Sequence, residues 1–205
     1  MIVRLDVWTD FTCPHCFFAA LIVKKLEREC ALDVHWRSFQ LRQPGSPSIS
    51  ESTRETMETE RQEIAKLARD EFGVALKPGP VGMNTRLPHI ESHFAEIAEK
   101  GDAFHSAVMA AYWLEGRAID TPEAVQEIAV GVGLDPNAAM FALTNLKLSQ
   151  RVDADRYEAE GRGLHAIPAF VFNHNYVDPA AQSYNALLQI IEKLSSGDMA
   201  AGAGK

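Results

Sequence analysis

The chain has 205 residues, of which 46% are hydrophobic and 23% charged, a balance typical of a folded globular protein that buries its own core. Its 3 cysteines are too few for a disulfide framework of the kind that staples small secreted proteins. The net charge of −8 argues against nucleic acid as a partner, because a phosphate backbone is bound by a basic surface.

The first forty residues predict a β-α-β unit. Residues 2–8 alternate apolar and polar side chains, which is the period of a strand with one buried face. The apolar stretch from Cys16 to Leu26 is long enough for a buried helix, and Pro14 suits its first position, where no backbone N–H is needed. Residues 32–41 alternate again, so two parallel strands joined by a right-handed crossover are expected.

The middle of the chain predicts helices alone. Residues 42–50 form a connection rich in Pro, Gly and Ser. Ser52 and Glu55 then match a capping box at the start of a helix that ends near Gly73. Further helices are expected at residues 85–99, 102–115, 121–131, 136–144 and 146–161.

Strand character returns only near the C-terminus. Residues 169–173 and the pair 176–177 are predicted as strands, and residues 184–194 as a closing apolar helix. The predicted order is therefore β-α-β, a helical block, and β-β-α. One sheet formed by both ends of the chain, with the helical block inserted between them, is the simplest architecture.

The sequence Cys13-Pro14-His15-Cys16 is the most informative motif. It stands between a predicted strand and a helix N-terminus, where unpaired N–H groups and the positive end of the helix dipole favour a thiolate. Cys13 precedes the helix and is expected to expose its sulfur, while Cys16 lies within disulfide reach. A thiolate that attacks and a neighbour that resolves the mixed disulfide are the minimum for dithiol exchange. A protonated His15 would add a charge that favours the thiolate.

A zinc site is the alternative for this motif. Zinc usually takes four ligands, and no second cysteine pair or matching histidine pair follows. His89 and His93 stand at i, i+4 on a predicted helix, but the glutamate between them is misplaced for a zinc-protease motif. We interpret these histidines as part of a solvated helix face and expect no metal.

The sequence resembles the DsbA-type thiol:disulfide oxidoreductases of the thioredoxin superfamily, and within them the FrnE-like cytoplasmic branch. The cysteine motif, the β-α-β start and the helical insert carry this resemblance, together with four further segments. These are residues 10–14 (DFTCP), 35–41 (HWRSFQL), 166–172 (AIPAFVF) and 178–183 (DPAAQS). Two positions depart from the branch: His15 stands where tryptophan is more frequent, and Ala166 where glycine is usual.

The resemblance implies an α/β thioredoxin fold, β-α-β followed by β-β-α, with a large all-helical insert between the two halves. Residues 1–44 and 164–195 would form the thioredoxin-like domain and residues 45–163 the insert. Residues 196–205 are small and polar and are expected to form a flexible tail.

Three further residues near the predicted site have open alternatives. The family proline that matches Pro168 has a cis peptide bond and faces the cysteine pair, which implies that Ile167 offers backbone groups to a substrate. Without the resemblance, a trans proline at the start of an edge strand is the simpler interpretation. Asp10 is either a proton relay for Cys16 or a turn residue that ends the first strand. His165 is interpreted as a solvated loop residue, with a position at the border of the active-site groove as the alternative.

The remaining cysteine and the aromatic residues are expected to be structural. Cys30 follows Cys16 by 14 residues, or about 21 Å along a continuous helix, which excludes a disulfide between them. It is interpreted as a buried thiol. Core positions are also expected for Phe17, Phe18, Tyr112 and Trp113.

The predicted function is disulfide exchange or isomerisation on protein or small-molecule disulfides. An alternative from the same superfamily is a kappa-type glutathione transferase or 2-hydroxychromene-2-carboxylate isomerase that binds glutathione, and a third is a binding module without catalysis. The intact cysteine pair argues against both. The predicted site comprises the catalytic residues Cys13, Cys16, His15 and Pro14, the substrate-binding residues Ile167 and Pro168, and the proton relay Asp10.

The expected partners are disulfide-bearing proteins or glutathione. No bound cofactor is expected, with glutathione or another thiol as the redox partner, and the chain is expected to be a monomer or homodimer. No secretory signal or apolar run long enough to span a membrane is visible, so a cytoplasmic location is expected.

Overall fold

The computed structural model describes residues 1–43, 45–177 and 183–197. Within these residues the chain forms four strands and eight helices in the predicted order. They are β1 (Val3–Thr9), α1 (Pro14–Glu29), β2 (Leu32–Ser38), α2 (Glu51–Phe72), α3 (Arg86–Ile97), α4 (Gly101–Trp113), α5 (Pro122–Gly131), α6 (Pro136–Ala142), α7 (Leu146–Gly161), β3 (Ala169–Phe172), β4 (Tyr176–Val177) and α8 (Tyr184–Ser196).

The strands from both ends of the chain form one mixed sheet in the described part of the molecule, in the order β2-β1-β3-β4. β1 and β2 are parallel, with Leu5 opposite Val34, so the predicted β-α-β unit is confirmed. β3 runs antiparallel to β1 and places Phe172 opposite Leu5, and β4 is antiparallel to β3. The α/β thioredoxin fold with a helical insertion is therefore confirmed.

The two faces of β1 carry different side chains, as its alternating sequence predicts. Val3, Leu5 and Val7 are fully buried against apolar residues of α1 and α8. On the opposite face Trp8 packs with Phe39 and with residues of α7 and β3. Each face of the sheet is thus covered by helices, one layer from the thioredoxin-like ends and one from the insert.

Buried charges link the strands of the sheet to each other and to the insert. The Asp6 carboxylate accepts hydrogen bonds from the Nε atoms of Arg4 at 2.9 Å and Arg37 at 2.8 Å. Burial alone would raise the pKa of Asp6, but these two guanidinium groups outweigh it and lower the pKa. On α7, the Asp155 carboxylate accepts the last backbone N–H of β2 at 2.8 Å. The Trp8 indole N–H donates to the Asp155 carbonyl oxygen at 2.8 Å.

The insert also reaches β2 through α4. The Trp36 indole stacks on the His105 ring with centroids 3.7 Å apart, and its N–H donates to Asp102 at 3.0 Å. In the part of the chain that the structure describes, no helix is long and apolar enough to cross a membrane. The division into residues 1–44 with 164–195 and residues 45–163 stays a prediction.

Two predicted boundaries are wrong. α2 is capped by Ser50, whose Oγ accepts the Thr53 backbone N–H at 3.2 Å, so the box of Ser52 and Glu55 does not form. A single N-cap acceptor suffices without the reciprocal carboxylate that the pattern requires. α8 continues to Ser196 before a left-handed glycine ends it, two residues beyond the predicted end of this helix, and the flexible tail at 196–205 stays a prediction. Its residues 198–205, and the segment 178–182 of the resemblance, lie outside the described residues.

Candidate active site

Cys13 caps the N-terminus of α1, directly after the turn that follows β1. Its backbone is extended, with φ −80° and ψ 120°, and Pro14 takes the first helical position as predicted. The Cys13 N–H donates to the Asp10 carbonyl oxygen at 3.2 Å, which closes the turn between strand and helix. Both Cys13 and Cys16 are free thiols. The cysteine pair therefore lies where the first N–H groups of the helix lack helical partners.

The two sulfur atoms have different surroundings. The Cys16 backbone N–H donates to Cys13 Sγ at 3.4 Å, and such a donor stabilises negative charge on the sulfur. Cys13 is 5% exposed and Cys16 0% exposed, so the residue expected to expose its sulfur is itself almost completely buried. Burial and the neighbouring Cys13 raise the pKa of Cys16 well above its usual range. Cys16 is the more enclosed thiol of the pair.

Aromatic side chains enclose the pair. Phe11, Phe17, Tyr112 and Trp113 are all buried in the same apolar cluster as the two cysteines. The Phe17 and Trp113 ring centroids are 5.5 Å apart, and the Trp113 indole N–H donates to the Phe11 carbonyl oxygen at 2.8 Å. Phe18 lies elsewhere on α1, partly buried. The predicted core positions of Phe17, Tyr112 and Trp113 are confirmed, and they form one wall of the site.

The segment before β3 meets this cluster from the other end of the chain. The Ile167-Pro168 peptide bond is cis, as the resemblance implies. Ile167 is partly buried and packs against both the cysteine cluster and the cluster of Trp8. His165 is exposed in the preceding loop, in agreement with its interpretation as a solvated residue. The fold therefore brings Ile167 to the cluster that contains the cysteine pair, although the two are separated by most of the length of the chain.

Asp10 is buried beside the pair and its carboxylate is fully hydrogen-bonded. Oδ1 accepts the Thr12 backbone N–H at 2.8 Å and the Thr12 hydroxyl at 2.9 Å. Oδ2 accepts the Leu41 backbone N–H at 2.8 Å and the Thr85 hydroxyl at 2.9 Å. Burial alone would raise the pKa of Asp10, but the His89 imidazole and these backbone donors outweigh it and lower the pKa. The turn role predicted for Asp10 is confirmed, and its role as a proton relay stays a prediction.

His15 lies beside the cysteine pair, whereas Cys30 lies at the opposite end of α1. His15 is exposed in the first turn of α1, next to both cysteines in sequence. Cys30 caps the other end of that helix and is partly buried, so its interpretation as a buried thiol is wrong. Burial and the Glu29 and Glu192 carboxylates raise the pKa of Cys30.

His89 and His93 are the residues that sequence analysis misplaced. Each is 2% exposed, so the predicted solvated face is wrong. His89 Nε2 lies 3.9 Å from Asp10 Oδ2, and His93 Nε2 lies 3.2 Å from the Ser38 hydroxyl. Their spacing does place both on one face of α3. This face is buried because residues far away in the chain, Asp10 for His89 and Ser38 for His93, lie against it. Among the described residues, no three His, Cys, Asp or Glu side chains form a group that could hold a metal.

A thioredoxin-type fold with a dithiol at the start of its first helix defines the class of this protein. The chain matches the family model of the DSBA-like thioredoxin domain over residues 4–192. It therefore belongs to the DSBA-like thioredoxin domain family, the fold family of DsbA-type thiol oxidoreductases.

Solved structures share the fold over nearly the whole chain. The probable DsbA oxidoreductase SCO1869 from Streptomyces coelicolor is 24% identical, with a TM-score of 0.79 over 99% of this chain and 94% of that one. A 2-hydroxychromene-2-carboxylate isomerase is 19% identical, with a TM-score of 0.75 over 98% and 100%. The cytosolic disulfide reductase DsbM from Pseudomonas aeruginosa, solved with GSH, is 17% identical, with a TM-score of 0.71 over 95% and 98%.

Proposed function

We propose that this chain is a thiol:disulfide oxidoreductase that works through Cys13 and Cys16. The Cys13 thiolate attacks one sulfur of a substrate disulfide, and the other substrate sulfur leaves as a thiolate with the electron pair of the broken bond. Cys16, after losing its proton, attacks the Cys13 sulfur and releases the second substrate thiolate. The substrate disulfide is then reduced and the pair is oxidised. The reverse sequence oxidises a substrate dithiol.

The position of Cys13 at the N-cap of α1 carries this proposal. Its sulfur accepts the Cys16 N–H at 3.4 Å, so a thiolate there has a hydrogen-bond donor and the positive end of a helix dipole. The residual exposure of the pair belongs to Cys13. A substrate disulfide can therefore meet Cys13, while Cys16 stays behind it for the second step.

Neighbouring residues would support substrate binding and the thiolate. We assign the backbone N–H and C=O groups of Ile167, before Pro168, to pairing with an extended substrate segment. His15 adds a donor and, when protonated, a positive charge at the mouth of the site. Pro14 shapes the first turn of α1 without requiring a hydrogen bond of its own.

Reduction or isomerisation of disulfides is the favoured direction. The support is the fold shared with the cytosolic disulfide reductase DsbM, solved with GSH, which points to glutathione as the thiol that regenerates the pair. In a cytoplasm poised near −220 to −320 mV, an oxidising dithiol stays mostly reduced and cannot act as a net oxidant. A dithiol exchanges electrons through its own sulfur atoms, so the proposed chemistry involves no bound cofactor.

The alternative is an isomerase or transferase that holds glutathione at the same place. The fold shared with 2-hydroxychromene-2-carboxylate isomerase supports this alternative. That chemistry requires an activated glutathione and no resolving thiol, so Cys16 would be dispensable for turnover. The two functions therefore differ in how they respond to loss of Cys16.

Replacing Cys16 with serine tests the proposal directly. Cys16→Ser is expected to accumulate a covalent Cys13–glutathione or Cys13–peptide disulfide and to lose at least 10-fold in turnover, because the resolving thiol is missing. Cys13→Ser should form no adduct with oxidised glutathione and show no turnover of a peptide disulfide with glutathione as the reductant. Mass spectrometry identifies the adduct, and a coupled glutathione-reductase assay measures turnover.

Cys30→Ser is the matched control, because it removes a thiol at the far end of the same helix. It should keep wild-type turnover. Full turnover of Cys16→Ser with no trapped adduct would contradict the proposed mechanism and favour the alternative.

A further inference from the structure

β2 forms one edge of the described sheet, and every second residue of this strand directs its backbone groups away from β1. In a parallel pair, alternate residues of a strand direct both N–H and C=O to the same neighbour. The Ala31 carbonyl oxygen, just before β2, accepts the first N–H of β1 at 3.0 Å. Just after β2, the Phe39 N–H donates to the last carbonyl oxygen of β1 at 3.0 Å. Odd-numbered positions therefore pair with β1, and the backbone groups of Val34 and Trp36 face outward.

The outward backbone groups of Val34 and Trp36 have no hydrogen-bond partner in the described part of the chain. The next outward N–H, that of Ser38, is taken by the Asp155 carboxylate at 2.8 Å. This bond supports the alternation independently, because it leaves β2 on the side opposite β1. A sheet edge with donors and acceptors of this kind can pair with a further extended segment about 4.8 Å away.

A cleft of about 540 Å³ lies beside this open edge, within the range of about 300–1,000 Å³ that is usual for ligand sites. The four successive β2 residues from Asp33 to Trp36 line it, together with Ser92 and Glu96 of α3 and the turn that leads into α4. We call this space the β2 edge cleft. The fold thus leaves room next to the strand whose backbone groups are unpaired.

The β2 edge cleft presents carboxylates on both faces of the sheet. Among the lining residues that the structure describes, the charged or titratable ones are four acids and one histidine, without Lys or Arg: Asp33, Glu96, Glu99, Asp102 and His35. On one face Glu96 lies 3.7 Å from His35 Nδ1. On the other face Asp102 accepts the Trp36 indole N–H at 3.0 Å. An added segment therefore meets negative charge whichever way its side chains alternate.

Part of this negative charge is balanced from outside the cleft. Three of the carboxylates contact cations on neighbouring elements: Asp33 contacts Arg4, Glu96 contacts Arg151 and Asp102 contacts Lys24. Glu99 is exposed and has no ion-pair partner among the described residues. A positively charged occupant is complementary to this lining, whereas a second copy of a chain with net charge −8 is not.

We propose that the β2 edge cleft docks an extended, lysine- or arginine-rich segment of a partner protein. The segment pairs with the outward backbone groups of Val34 and Trp36 as an added strand, and its basic side chains meet the carboxylates on either face. Main-chain pairing supplies affinity, and charge selects the partner. The inference goes beyond the proposed function, because neither cysteine of the pair lines the cleft and no thiol takes part.

The probe is a short synthetic peptide that alternates lysine and valine, titrated into the full-length protein and followed by amide hydrogen exchange. In the free protein the Val34 and Trp36 amides should exchange faster than the His35 amide, which is bonded to β1. The peptide should slow exchange at Val34 and Trp36 by about 10-fold or more and leave His35 unchanged. The same peptide with a methylated backbone, and one that alternates glutamate and valine, should not bind.

Substitutions separate the contribution of charge from that of the backbone. Glu99→Lys should weaken peptide affinity by about 3-fold or more, because it reverses an unpaired charge of the cleft. Glu63→Lys makes the same change at an exposed position of α2 outside the cleft, and this matched control should keep wild-type affinity. Val34→Pro should abolish binding, since it removes an outward N–H and no bond to β1. Cys13→Ser should bind the peptide normally even though it loses turnover.

Failure of the lysine peptide to show saturable binding up to about 1 mM overturns the inference, and the charges at this edge then serve only to prevent pairing. Equal binding of the methylated or the glutamate peptide overturns it as well. Protection of Val34 and Trp36 that rises with protein concentration, without peptide, overturns it in favour of a second copy of the chain. If Val34→Pro does not fold, the methylated peptide and Glu99→Lys decide.

Discussion

Cys13 and Cys16 have the same side chain but contrasting environments. Cys13 caps a helix and its sulfur accepts an N–H, whereas Cys16 is fully enclosed. His15 stands between them at the exposed surface of the first turn. The chemistry of each side chain therefore follows from where it lies on one helical turn. The substitutions described next test the environment of His15 in this turn and of Glu91 and Glu96 on α3.

Replacing His15 with tryptophan is expected to make the reduction potential of the pair more negative by about 10–30 mV, since 30 mV corresponds to about 1.4 kcal/mol for a two-electron couple. The imidazole contributes a donor and, when protonated, a charge that indole lacks. Losing them destabilises the reduced, anionic form relative to the disulfide. Equilibration with glutathione redox buffers measures the shift. A potential that stays constant would mean that the imidazole does not act on Cys13.

Replacing Glu91 with glutamine is expected to stabilise the fold increasingly from pH 5 to pH 8. Glu91 is 0% exposed with both carboxyl oxygens unpaired in the described structure, and burial raises its pKa from 4.5 to about 8. Between these values the unfolded chain is ionised while the folded chain holds its proton, so stability falls as pH rises. Glutamine stays neutral. The gain should reach about 1–2 kcal/mol near pH 8, measured by urea unfolding.

Glu96→Gln is the matched control on the same helix and has the opposite sign. His93 and Arg151 hold the pKa of Glu96 at about 2, despite its partial burial. Its stabilising contribution is therefore present above about pH 4.5 and is lost as pH falls toward 2. Glu96→Gln should lower stability at pH 7. Equal effects of both substitutions at all pH values would contradict the assignment for Glu91.

Between α2 and α3 an extended segment is held against the end of α4, and this packing completes the wall of the site. The Lys77 N–H donates to the Trp113 carbonyl oxygen and the Gly79 N–H to the Tyr112 carbonyl oxygen, both at 2.7 Å. Buried Arg61 of α2 donates to the Gly79 carbonyl oxygen at 3.1 Å and also contacts the Tyr112 hydroxyl. The segment thus fixes two aromatic residues that pack around the cysteines.

Gly79→Ala is expected to destabilise the protein by about 2–3 kcal/mol, the upper range for overpacking. A Cβ at Gly79 would lie 2.5 Å from the Arg117 carbonyl oxygen and 2.7 Å from the Tyr112 ring. Gly131→Ala, at the end of α5 with no atom within 4 Å of its Cβ, should be neutral or stabilising. Denaturant unfolding compares them. A tolerated Gly79→Ala would mean that the segment can move away from α4.

Across the whole molecule, the sheet and the insert share one set of buried contacts. Asp155 of α7 joins β1 and β2, and Trp36 of β2 stacks on α4. The insert therefore covers a face of the sheet that would otherwise expose Trp8. Because these contacts are buried, they couple the insert to the sheet, although the chain enters the insert once and leaves it once.

Cooperative unfolding is the expected consequence. In native-state hydrogen exchange, the most protected amides of β1 and of α4 should open with the same free energy and the same dependence on denaturant. Mass spectrometry of peptides from the two elements measures both quantities. An insert that opens at clearly lower free energy than β1 would instead support an independent domain at residues 45–163.

Local patterns in the sequence were sufficient for the β-α-β start, the helical block, the late strands and the cysteine pair at a helix N-terminus. Strand alternation, helix length, and the proline after Cys13 all act over ten or so residues, so they are visible without knowing the fold. The same patterns also placed His89 and His93 on one helix face. They failed for the cap of α2, because serines at 50 and 52 both satisfy a local rule.

Tertiary structure alone decided what surrounds the cysteine pair. The Asp10 carboxylate is saturated by donors from positions 31 and 75 residues away, and no local pattern connects such distant positions. The same applies to His89, whose face is covered by the loop after β1, and to Ile167, which joins the cluster from the far end of the chain. Periodicity shows which residues share a face, but burial of that face is set by contacts between distant segments.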